Sequence, residues 1–228
     1  MAPRKSPAPK PARTRILLVD DHPLIHEGLV QLIAQEPDLE TCGQAASGRE
    51  ALDMAASRNP ALAIVDLSLL DMDGLDLIKD LAARFPGLAI LVLSMRDERF
   101  YAERALRAGA RGYITKGERP RTILAAIRRV LQGDVYLSDR MAALLMRRLI
   151  DHNSPEAATA VDALSDRELQ VLSSIGEGLG PSQIADRLHL SVKTIETYRA
   201  HIKDKLSIDD AAALRQYAIH WMQEHRPG

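Results

Sequence analysis

Three carboxylates carry the first chemical signal in this chain. Asp66 follows the apolar run Ala61-Leu62-Ala63-Ile64-Val65, and Asp20 and Asp21 follow Ile16-Leu17-Leu18-Val19. A short apolar run bounded downstream by Asp and Gly reads as a buried parallel strand ending in a loop. Open α/β sheets place their chemistry at the carboxyl ends of such strands. Three carboxylates gathered there repel one another and invite a divalent cation. Hard oxygen ligands of this kind suit Mg2+.

The elements that must position these acids alternate along the chain. Strand-like runs occur at 16–19, 61–65 and 88–93, with weaker ones at 39–45 and 111–115. Helical patterns lie between and after them, at 23–35, 48–57, 74–84, 98–108 and 119–132. In the last, Ile123, Ala126, Ile127, Val130 and Leu131 recur at helical spacing. Five strand–helix repeats predict a doubly wound, five-stranded parallel sheet covered on both faces, with right-handed crossovers. A further helix is predicted at about 139–150, then a polar linker from Asp151 to Ala163. The remainder reads as four short helices, 165–175, 181–188, 191–205 and 209–223, forming a small all-α bundle. The expected divisions are a tail at 1–14, an α/β domain at 15–133, a helix and linker at 134–162 and the bundle at 163–228.

The totals narrow the classes. At 228 residues the chain accommodates two modest domains, and 46% hydrophobic with 27% charged content is ordinary for globular protein. A formal net charge of −1 gives no global hint of a polyanionic partner. The single cysteine, Cys42, excludes an internal disulfide framework and a cysteine zinc site, which fits a reducing cytoplasm. No apolar stretch approaches the ~20 residues of a membrane span. The first residues are basic and Pro-rich with no apolar segment, so they read as a disordered tail and not as a signal peptide.

A second motif lies near the other end. Ser165 with Glu168 three residues on makes a capping box before Leu169, Leu172 and Ile175. Gly176-Glu177-Gly178-Leu179-Gly180 reads as a loop, and Pro181 suits the first turn of the next helix. Ser191 caps the third helix, where Ile195, Tyr198, Ile202 and Leu206 share the inward face. The outward face presents Lys193, Thr194, Glu196, Thr197, Arg199, Ala200 and Lys203. This is a helix-turn-helix pattern with 191–205 as recognition helix. From Asp162 onward ten acids outnumber eight basic residues, so DNA affinity rests on local charge and calls for a dimer.

The α/β part resembles response-regulator receiver domains, which share the flavodoxin-like sheet. The residues that carry the resemblance are Asp20, Asp21, Asp66, Ser94, Tyr113 and Lys116. It implies that Asp66 is the phosphoacceptor and that Lys116 pairs with Asp66 at rest and with a phosphoryl oxygen afterwards. Ser94 would bond another phosphoryl oxygen, and Tyr113 would be the switch aromatic that turns inward. Mg2+ would be held by Asp21, Asp66 and the Ser68 backbone carbonyl, with Asp20 acting mainly through water. Leu70 stands where the family often has Pro, and Met95 is bulkier than the small residue common there. Met95 and Arg96 are expected to affect phosphoryl lifetime.

The last part resembles the LuxR-type domain, and the whole chain a NarL/FixJ-type response regulator. That resemblance assigns Glu196, Thr197 and Ala200 to base reading and Lys193, Thr194, Arg199 and Lys203 to phosphates. Gly180-Pro181-Ser182-Gln183 departs from the usual loop and loses a basic residue. The implied partners are a sensor histidine kinase, double-stranded DNA and a second copy of the chain, with no membrane and no enzymatic turnover. Two rivals stand beside this reading: a helical adapter without DNA binding, and a flavodoxin-like cofactor enzyme. The seven histidines show no metal-ligand spacing with other His or Cys and read as surface or packing residues.

Overall fold

The computed structural model describes residues 13–150 and 160–224. Residues 1–12 of the expected tail at 1–14 and most of the expected linker, 151–159, lie outside the described residues; Thr14 begins the first strand instead of ending the tail. The chain divides into two compact units after Ser138.

The first unit alternates β1 (Thr14–Val19), α1 (Pro23–Ala34), β2 (Leu39–Ala45), α2 (Gly48–Arg58), β3 (Leu62–Val65), α3 (Gly74–Arg84), β4 (Ala89–Ser94), α4 (Glu98–Ala108), β5 (Gly112–Thr115) and α5 (Pro120–Leu131). All strand pairs are parallel, in the order β2-β1-β3-β4-β5. Successive residues of a strand face opposite sides, so continuous apolar runs bury both faces. Ile16, Leu18, Leu62, Ile64, Leu91, Leu93 and Ile114 pack with Leu29 and Ile33 of α1 and Ile123, Ala126, Ile127 and Val130 of α5. The alternate residues Leu17, Val19, Ala63, Val65, Ile90 and Val92 are equally buried. Helices α2, α3 and α4 pack side by side to cover that face. Tyr136 adds a single parallel bridge to Gly112, extending the sheet beyond β5.

The strand order reverses at β1, whose neighbours β2 and β3 lie on opposite sides. Such a switch point opens a crevice at the carboxyl ends of the strands. The predicted elements fall within about two residues of these bounds, the usual uncertainty of helix and strand ends.

The second unit contains α6 (Asp139–Ile150), a 3-10 turn at Ala160–Ala163 inside the expected linker, α7 (Asp166–Gly176), α8 (Pro181–Leu188), α9 (Val192–Leu206) and α10 (Ala211–Glu224). Leu164, Leu169, Leu172, Ile175, Ile184, Ile195, Ile202, Leu214, Ala218 and Trp221 are among its buried apolar residues. The predicted capping box is present: Ser165 Oγ accepts from Glu168 N, and Ser165 N donates to the Glu168 carboxylate at 2.7 Å. Gly176 lets α7 approach α10, since a Cβ there would stand 2.7 Å from the Ala218 carbonyl oxygen.

Candidate functional site

Asp20 and Asp66 follow β1 and β3, at adjacent strand ends, and both are buried. Lys116, just past β5, reaches between them, with Nζ 2.7 Å from Asp20 and 2.9 Å from Asp66 Oδ2. Burial alone would push the lysine pKa down; the carboxylates of Asp66 and Asp20 outweigh it and hold it above the ordinary value. The cation therefore stays charged through the neutral range. Asp66 Oδ1 is buried with no hydrogen bond, and so is Asp21 Oδ1. Buried carboxylate oxygens left unpaired are costly, and they mark a place for an electrophile or a cation.

The loop after Asp66 is fixed at both ends. Asp71 accepts from the backbone N–H of Gly48 at 2.8 Å and of Arg49 at 3.1 Å, where α2 begins. Asp73 caps α3 by accepting from Leu75 N at 2.8 Å. Gly74 then passes so close that a Cβ would lie 2.4 Å from Leu67 Cα and 2.7 Å from the Asp66 carbonyl oxygen. Leu70, at the tip, is exposed and removes no oxygen donor from the cup.

Ser94, at the end of β4, is fully buried, and its Oγ accepts from Arg96 N at 3.4 Å. Tyr113 already faces inward: it is fully buried and its hydroxyl donates to the Arg96 carbonyl at 2.8 Å. Burial pushes its phenol well above the ordinary tyrosine pKa. Met95 points to solvent at 76% exposure instead of over the cup. Arg96 turns the other way. Its Nε donates to Ser68 Oγ at 3.2 Å, one terminal nitrogen donates to the Tyr101 hydroxyl at 2.9 Å, and the guanidinium lies over the Tyr101 ring.

His22 is exposed, as expected of a surface residue, and its ring also lies against the cup. Its Nδ1 lies 3.1 Å from Asp20 Oδ1 and 2.7 Å from Asp21 Oδ1. The sequence signal was only adjacency to Asp20 and Asp21; the search for His and Cys partners missed it because the partners are carboxylates.

On α9, Lys193, Glu196, Thr197 and Ala200 are exposed, whereas Thr194, Arg199 and Lys203 are half-buried. Arg199 pairs with Glu196 at 2.9 Å. Thr197 donates to the Lys193 carbonyl at 3.0 Å, and Thr194 and Ser191 share a hydroxyl bond at 2.8 Å. Ile195 and Ile202 are buried, while Tyr198 and Leu206 are only half-covered. A further anchor joins α9 to α7. Lys205 donates to the buried Glu168 at 2.7 Å. Burial would raise the Glu168 pKa; the bonds from Lys205 and Ser165 prevail and hold it below the ordinary value.

Comparison with known proteins adds independent findings. Residues 16–128 match the response regulator receiver domain, and residues 162–218 match the bacterial regulatory proteins of the luxR family. The chain is 33% identical over 209 residues to the oxygen regulatory protein NreC of Staphylococcus carnosus, covering 90% of this chain and 96% of that one. It is 34% identical over 201 residues to a nitrate/nitrite response regulator protein homolog of Haemophilus influenzae, covering 88% and 94%. The solved structure of the RcsB response regulator of Salmonella typhimurium is similar in fold, with TM-score 0.68 at 24% identity over 92% of this chain and 98% of that one.

Proposed function

The chain belongs to the response regulators that join a receiver domain to a luxR-type DNA-binding domain, and we propose that Asp66 is the residue whose phosphorylation controls it. As a member it is a DNA-binding regulator of transcription, which favours that reading over the cofactor enzyme and the adapter without DNA binding. The observation that carries the proposal is the bridge from Lys116 to Asp20 and Asp66, which leaves Asp66 Oδ1 buried and unpaired.

Asp66 Oδ1 attacks the phosphorus of a phosphohistidine on a sensor kinase. The P–N bond breaks and an acyl phosphate forms. Lys116 exchanges its Asp66 partner for a phosphoryl oxygen, and the Ser94 hydroxyl donates to another. The two oxygens without a hydrogen bond, of Asp21 and Asp66, fit a hard cation, so Asp20, Asp21, Asp66 and the Ser68 carbonyl would hold Mg2+. When bound, Mg2+ neutralises the charge that keeps an anionic donor from an anionic nucleophile.

The signal leaves the cup through backbone. Ser94 Oγ and the Tyr113 hydroxyl both bond the main chain of Arg96, and the Arg96 side chain holds Tyr101 of α4. Drawing Ser94 toward a phosphoryl group shifts this set, and two packings a few kcal/mol apart suffice for a switch. The phosphorylated form pairs with a second copy. Paired α9 helices then enter major grooves about 34 Å apart on a two-fold-related site. Glu196, Thr197 and Ala200 face base edges, and Lys193, Thr194, Arg199 and Lys203 lie toward phosphates. Among the described residues no helix is long and apolar enough to cross a membrane.

The test is a gel shift with promoter fragments, with and without acetyl phosphate and Mg2+. The parent should gain affinity on treatment and Asp66→Asn should not. Equal gain by both proteins would remove Asp66 from the mechanism.

A further inference from the structure

We propose that His22 supplies the acidic cup with a nitrogen donor, so that the cup takes first-row transition ions such as Co2+ or Ni2+ more tightly than Mg2+. This rests on the reading of the cup as a cation site.

His22 occupies the cap position before α1 yet makes no side-chain cap hydrogen bond there. Its ring folds back over the strand ends instead. One donor atom from each of Asp20, Asp21, His22 and Asp66 lies within 4.8 Å of the others. Adjacent ligands on an octahedral ion at about 2.1 Å stand roughly 3 Å apart, and opposite ones about 4.2 Å apart. The four atoms thus need only small adjustment to share one centre. The 2.7 Å approach of Nδ1 to Asp21 Oδ1 is close, but that oxygen has no hydrogen bond of proper geometry. The same Nδ1 is within hydrogen-bond distance of Asp20 Oδ1 at 3.1 Å, so one ring nitrogen addresses both acids, and a bound cation would take the place of that contact. The imidazole is 61% exposed while Asp20 and Asp66 are buried, so it stands at the mouth, where a hydrated ion arrives.

The chemistry separates the ions. Carboxylates and a carbonyl suit Mg2+; adding an imidazole favours Co2+, Ni2+ and Zn2+, in line with the usual order of divalent affinities. Neutral imidazole brings no charge and leaves the electrostatic attraction for Mg2+ intact. If His22 merely oriented the acids, its loss would weaken every ion in parallel.

The full chain is titrated calorimetrically with Co2+ and, separately, with Mg2+, and the Co2+ visible absorption is recorded. The variants are His22→Ala, His22→Ser, which offers a small side chain able to cap α1, and Asp66→Asn. The parent should bind Co2+ about tenfold or more tighter than Mg2+. Both His22 variants should lose that advantage and its absorption band, with Mg2+ affinity held within about twofold. Asp66→Asn should weaken both ions. Parallel loss of both ions in the His22 variants overturns the proposal, as does unchanged Co2+ binding. Failure of the parent to bind Mg2+ at all would instead defeat the cation-site reading beneath it.

Discussion

The acidic cup and the outward face of α9 solve opposite problems. In the cup, Asp20, Asp66 and the Lys116 side chain are nearly withdrawn from water and hold one another in fixed positions. On α9, the groups are exposed or half-buried and satisfy themselves locally, Glu196 with Arg199 and Thr197 with its own helix. Buried charges are costly unless paired, so a buried cluster carries its chemistry in its own geometry. Exposed charges gain little from one another, so a recognition surface acquires its energy only when phosphates replace water and counterions. The first site can be read in the isolated chain, whereas the second becomes specific only against its partner.

The largest expected effect lies in the cup. Lys116→Ala leaves two buried carboxylates facing each other, and should destabilise the first unit by about 3 kcal/mol in chelator, as the loss of one member of a buried ion pair does. Added Mg2+ should restore much of that loss. Urea melts with and without Mg2+ measure both, and an unchanged midpoint would mean that Lys116 is not what neutralises the cup.

Gly74→Ala comes next. Its Cβ meets backbone atoms of Leu67 and Asp66, which cannot rotate away, so about 2 kcal/mol of stability should go. Phosphorylation by acetyl phosphate should also slow, because the displaced atoms include the carbonyl of Asp66 itself. Normal stability and rate in the variant would show that the loop relaxes freely.

On α9 single changes should matter less. Lys193→Ala should weaken binding to all DNA sequences alike and reduce the salt slope by about one unit. Arg199→Ala should cost less, since that guanidinium already has Glu196 as partner. A larger loss from Arg199 than from Lys193, read in salt-dependent titrations, would reverse the assigned order.

The smallest effect tests an exception, a buried acid in the second unit. Glu168 has its pKa held down in the folded state. Its contribution is present above the unfolded carboxylate pKa and fades as pH falls through the lower, folded value. Lys205 is partly exposed, so the contribution should be about 1 kcal/mol or less. Thermal melts from pH 6 to pH 3 should lose less stability in Glu168→Gln than in the parent; parallel curves would remove the pair from the account.

The same contrast explains what the sequence made legible. The strands could be located because burial on both faces forces apolar runs such as Ile16–Val19 and Ile90–Leu93, and the acids directly after them mark the crevice. Helix starts were legible where a side chain does the capping, as at Ser165 and Ser191. Contacts set by the turn of a ring or a long side chain left no such trace. His22 looks like a surface residue until its ring is seen against Asp20 and Asp21. Arg96 stands out in the sequence only by its place after Ser94; that it spans Ser68 and Tyr101 does not show there. Lys205 reads as a solvated helix end, although it fixes α9 to Glu168 across 37 residues of chain. Tyr113 could be assigned a switching role from the resemblance, but whether it points in or out is a packing choice that spacing does not encode.

The most direct test of the central claim is intact mass after incubation of the full chain with acetyl phosphate and Mg2+, followed by peptide mapping. The account predicts a single phosphoryl adduct, mapped to Asp66 and missing from Asp66→Asn. A parent that stays unmodified, or an adduct that persists in the Asn variant, would contradict it.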